Sequence, residues 1–140
     1  MPAYTLDLTV PKSTPKSSPV ERELKIREGV IVRWSVLIPA GHMAGAGMRA
    51  LYGLEPVFPA HEDAWLRGDD ETVVMEDFWD PPEEPYTLTF QAWNEDPLHD
   101  HTFYVRLAVL QREVASAHQL FLKRVAKEIS DAFLKAGGWV

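Results

Sequence analysis

The chain changes its hydrophobic period once, at Gln111, and that change limits what it can fold into. Upstream, apolar side chains recur at every second position in short runs, the repeat of half-buried strands. Tyr4, Leu6, Leu8 and Val10 alternate with Thr5, Asp7 and Thr9, and Val30, Val32, Trp34, Val36 and Ile38 share one predicted face. Tyr86, Leu88, Phe90 and Ala92 form a third run, and Phe103, Val105, Leu107 and Val109 a fourth. Weaker strand patterns occupy residues 20–26, 48–53 and 71–77, whereas residues 56–66 look irregular, with a helical turn at 61–66 driving Trp65 inward. Turn-forming residues about every ten positions predict an antiparallel β-sandwich or jelly roll of seven or eight strands. The loop between Trp93 and His101 is too short for a crossover helix, so its flanking strands are expected to pair with each other.

From Gln111 the period lengthens. Val114, Phe121, Val125, Ile129 and Ala132 recur at helical spacings, flanked by Leu120, Leu122 and Phe133. A long amphipathic helix of about twenty-five residues is predicted, ended by Gly137 and Gly138. Its apolar residues cover more than half the circumference, more than one sheet can bury. Val114, Phe121, Val125, Ile129 and Phe133 are therefore expected to form an oligomer interface with a symmetry mate. At the other end, residues 11–19 (Pro-Lys-Ser-Thr-Pro-Lys-Ser-Ser-Pro) have no apolar side chain and three prolines that cannot donate ladder hydrogen bonds. They are expected to be an extended arm that could deliver the first strand to a neighbouring subunit. The predicted organisation is residues 1–19 as strand and arm, 20–110 as sandwich and 111–140 as helix and tail.

Charge is sorted by segment. Between Leu54 and His101 stand fourteen acidic side chains against one basic residue, Arg67. The predicted helix holds five basic and three acidic residues, +2, which leaves −9 for the rest of a chain whose net charge is −7. A phosphate backbone would be repelled, so no nucleic-acid partner is expected. The chain has no cysteine, which excludes disulfides, thiolate metal sites and a cysteine nucleophile. No apolar run approaches membrane-spanning length and the first residues lack a signal-peptide pattern, so a cytoplasmic protein without a membrane partner is expected.

Catalytic patterns are weak. Residues 94–101 hold two imidazoles, His99 and His101, beside Asp96 and Asp100, but Pro97 interrupts the loop and no distant histidine has matching context. A solvated loop is the simpler reading. Asp69, Asp70, Glu71, Glu76, Asp77 and Asp80 lack the spacing of a helix-loop-helix calcium site. The glycine-rich stretch 41–47 lacks the Lys-Ser/Thr ending of a phosphate loop. No enzyme activity, cofactor or metal site is expected. Of five tryptophans, Trp34 and Trp65 read as core, while Trp79 and Trp139 are the candidates for partner contact. A sugar-stacking role for Trp79, assisted by calcium on loop carboxylates, is the alternative function.

Residues 29–33 (Gly-Val-Ile-Val-Arg), 38–41 (Ile-Pro-Ala-Gly), 84–88 (Glu-Pro-Tyr-Thr-Leu), 93–96 (Trp-Asn-Glu-Asp) and 101–106 (His-Thr-Phe-Tyr-Val-Arg) carry a resemblance. With the predicted strand order and tails, the chain resembles small virion structural proteins of tailed phages, particularly capsid decoration and related accessory proteins. The resemblance implies a non-enzymatic jelly roll that oligomerises, as a trimer, and binds other virion or lattice proteins. It further implies a virion location after assembly in the host cytoplasm. The proline-rich arm and terminal helix depart from that pattern.

Overall fold

Alternation of apolar and polar side chains gives the strands at residues 3–10, 87–94 and 101–110 a buried inner face, and these faces meet in one core. A computed structural model describes residues 3–137. The strands are β1 (Ala3–Val10), β2 (Val20–Lys25), β3 (Val30–Ile38), β4 (Ala46–Tyr52), β5 (Glu55–Phe58), β6 (Leu66–Arg67), β7 (Glu71–Trp79), β8 (Thr87–Asn94) and β9 (His101–Leu110), followed by helix α1 (Arg112–Gly137). One sheet runs β1-β9-β3-β7 and the other β2-β8-β4-β5, with β6 paired to β4, and all pairings are antiparallel. The chain passes back and forth between the two sheets, which gives the strand order of a jelly roll with α1 appended.

Between the sheets lie Leu6, Leu8, Val36, Ile38, Met48, Phe90, Phe103 and Leu107, all buried. Trp34 of one sheet stacks on Phe58 of the other, ring centroids 4.8 Å apart. Gly47 leaves room for a bulky neighbour on the outer surface of the second sheet: a Cβ there would stand 2.6 Å from the Trp93 ring. In β3 the register slips between Ile31 and Arg33 against both of its neighbours. This β-bulge buries Val30 and Ile31 and leaves Val32 half-buried, where uninterrupted alternation would have turned Val32 fully inward.

Three expectations are corrected. β8 and β9 do not pair with each other: residues 95–100 cross from one sheet to the other, and β9 lies between β1 and β3. A six-residue loop bars a helical crossover, yet easily spans the roughly 10 Å between packed sheets, so shortness alone did not decide the partner. The first strand is not given to a neighbour, since β1 pairs along its whole length with β9 of its own chain, from Ala3 opposite Ala108 to Val10 opposite His101. Nor is the proline-rich segment a free arm. Lys12 N donates to Asp100 Oδ1 at 2.8 Å, Ser13 N to the Asp96 carbonyl at 2.9 Å, and Asn94 N to the Thr14 carbonyl at 2.9 Å. Strand β5 was missed because Pro56 and Pro59 disguise a short edge strand.

Candidate functional site

At one pole of the sandwich α1 continues from the end of β9. Its first residue is clamped to the body: Arg112 Nε donates to Asp80 Oδ1 at 2.8 Å, Nη1 to Glu28 Oε1, and Nη2 to the Pro81 carbonyl at 3.1 Å. The guanidinium also lies over the Tyr86 ring, 5.8 Å from its centroid. Ala115 is the one fully buried side chain among the described residues of the helix. From Lys123 to Lys135 every side chain is exposed except the half-buried Val125.

The predicted interface residues therefore stand largely in solvent. Val114 is 50% exposed, Phe121 60%, Ile129 65% and Phe133 58%, with Leu120, Leu122 and Leu134 also exposed. Such side chains on a protruding helix lose the burial that normally stabilises helices in water. Ala115, His118, Leu122, Val125, Ile129 and Ala132 follow alternating spacings of three and four, the seam of a helix that packs on another helix. The same seam begins at the sandwich, where Ala115, His118 and Leu122 line a groove of about 380 Å³ together with Val32, Phe78 and Leu110.

At the opposite pole the sandwich brings together residues far apart in sequence. The buried His42 ring lies 4.4 Å from the His101 ring and meets the edge of Phe103 at 4.8 Å. His101 Nε2 is 2.9 Å from Asp96 Oδ2. Asp96 also accepts from the backbone of Leu98 at 2.8 Å and of His99 at 3.2 Å. These amides, with His101, hold the Asp96 carboxyl below the usual carboxylate range. Burial pushes the His42 imidazole below its ordinary value, and the neighbouring His101 adds to the effect. His42 Nδ1 is buried without a hydrogen-bond partner.

The glycine-rich stretch around His42 is a fastened turn. Met43 and Ala44 both adopt positive φ, 49° and 59°. Asp69 Oδ1 accepts from Gly41 N at 2.9 Å and Met43 N at 3.0 Å, while Arg67 donates twice to the Ala44 carbonyl, at 3.0 and 2.8 Å. Asp69 is correspondingly held low, chiefly by the Met43 amide. Arg67 and Asp69 thus fasten this loop from one neighbouring turn. The histidine that sequence reasoning paired with His101, His99, instead faces solvent, and His42 takes that place. No local spacing announces this contact, because β3 and β9 must first be neighbours.

Trp79 is not the freely exposed ring expected from its sequence position. It is half-buried against the core, edge-on to Tyr52 with centroids 5.3 Å apart. Trp139 lies outside the described residues. Trp65, expected in the core on a helical turn at 61–66, is instead half-buried outside the core with no helix there, its ring edge-on to Trp93 and under the Arg49 guanidinium at 4.3 Å. Among the described residues no three histidine or acidic side chains are grouped to hold a metal ion. No helix among them is long and apolar enough to cross a membrane. No protein-family model matches the chain, and no curated protein matches it in sequence.

Proposed function

We propose that this protein is a structural assembly protein, a jelly-roll body that self-associates through α1 and packs on a lattice of other protein subunits. The observation carrying this reading is the apolar surface of α1, exposed over most of a helix of 26 residues. Burying it releases the hydrophobic surface from water at about 25 cal/mol per Å². The resemblance to phage capsid decoration proteins supplies the kind of lattice, and a trimer is the expected state. The body supplies rigidity and the helix supplies attachment, with no chemical step required of either.

Sedimentation velocity tests the reading directly. The full chain is expected to sediment as a concentration-dependent oligomer, and Val125→Asp with Ile129→Asp to sediment as a folded monomer. A wild-type chain that stays monomeric at the highest soluble concentration would refute self-association.

A further inference from the structure

The groove at the base of α1 has a shape and a charge that ask for a particular occupant. Its floor is Val32, Leu110 and Ala115, and its walls are Phe78 and Leu122, 40% and 52% exposed. The bulge in β3 creates the floor by leaving Val32 half-exposed on the outer surface of the sheet. Along the rim stand Glu76, whose side chain is 78% exposed, and Asp77. Asp77 is held by Trp34 Nε1 at 3.2 Å, whereas Glu76 has only a loose contact with Arg33 at 3.7 Å.

The complementary surface is on the same chain. Beyond the groove α1 offers Val125, flanked by Lys123, Arg124 and Lys127, and then Ile129, which has the acids Glu128 and Asp131 near it. At its Val125 end this is an apolar ridge with three cations beside it, against an apolar trough with Glu76 and Asp77 beside it. The ridge cannot fold back into its own groove, because a continuous helix carries it away at about 1.5 Å per residue. We infer that the groove between α1 and the β3–β7 corner receives the distal half of α1 from a second copy of the chain. Each copy then gives one helix and receives one, and the exchange closes as a reciprocal pair or, with a suitable rotation between copies, as a ring. The inference rests on the proposed self-association and specifies its seat. The charge split agrees with it, since the helix segment is +2 and the remainder −9.

The chain lacks cysteine, so single cysteines report the contact without interference. Full-length Phe78→Cys and Val125→Cys variants, mixed and oxidised under mild conditions, are expected to give a disulfide-linked heterodimer, with little homodimer from either alone. Glu76→Lys is expected to raise the dissociation constant several-fold, and Lys127→Glu in the same chain to recover most of it. If only Val125→Cys homodimers form while the protein still sediments as an oligomer, the helices pair with each other and the groove assignment is overturned. If the wild-type chain is monomeric, both the seat and the self-association fail.

Discussion

The His42 imidazole is buried beside a second histidine, so a proton added there meets both desolvation and a neighbouring like group. Its folded pKa lies below the ordinary value of 6.5, and the unfolded chain therefore takes up that proton first as the pH falls. The linkage sign follows: this contribution to stability is intact above pH 6.5 and is lost as the pH falls through the folded value. Asp69 and Asp96 act in the same direction lower down, their contributions present above 3.8 and lost as the pH falls through their depressed values. Urea midpoints measured across this range should decline on acidification below pH 6.5, with a shallower slope in His42→Phe. Asn94 is the other residue whose removal should be costly. Its buried amide donates to the Val10 carbonyl at 3.2 Å and the His99 carbonyl at 2.9 Å, while its oxygen accepts from Asp96 N at 2.9 Å. Asn94→Ala strands all three groups and should cost about 2–3 kcal/mol in urea denaturation, with the slope unchanged. Trp34 was legible as core because its strand alternates. The His42–His101 contact was not, since it joins residues brought near only by strand order.

Elements divide by how local their cause is. The long strands and α1 were legible because period and length are properties of neighbouring residues. Partner choice was less so: the β8–β9 loop fits a hairpin and a sheet-to-sheet crossing equally well, and burial of both strands in the common core selected the crossing. The bulge in β3 was invisible for a related reason. Val30, Ile31 and Val32 are all apolar, and nothing in that run says which one should face out. For α1 the pattern disclosed both the helix and its surplus of apolar surface, though not the groove at its foot. Because α1 buries little besides Ala115, the body should stand without it. A chain ended at Glu113, which keeps the Arg112 clamp, should melt within about 4 °C of the full chain measured under monomeric conditions. A large loss of the cooperative transition would mean that the helix stabilises the sandwich as well as extending from it.

For the whole molecule, the uneven charge distribution sets how the proposed self-association would respond to its surroundings. A helix segment of +2 attracts a remainder of −9 at low ionic strength, and screening shortens that attraction from about 10 Å at 0.1 M salt to about 3 Å at 1 M. Sodium chloride should therefore weaken self-association over this range, to an extent reduced in Glu76→Lys. An association that salt strengthens throughout would show apolar burial acting alone. The two poles also differ in kind: one carries the protruding helix, the other a set of short loops tied to one another through Asp69, Asp96 and Asn94.

The pairing of β1 with β9 has a practical consequence. Ala3 lies opposite Ala108, so the first residue of β1 sits beside the root of α1, about 30 Å along β9 from the turn that bears Leu98, a side chain 73% exposed. A molecule gripped at its helical pole would present that turn to the outside like the head of a rivet. Foreign peptides spliced beside Leu98 would then be shown to the surrounding medium, at the end of the sandwich farthest from the helix.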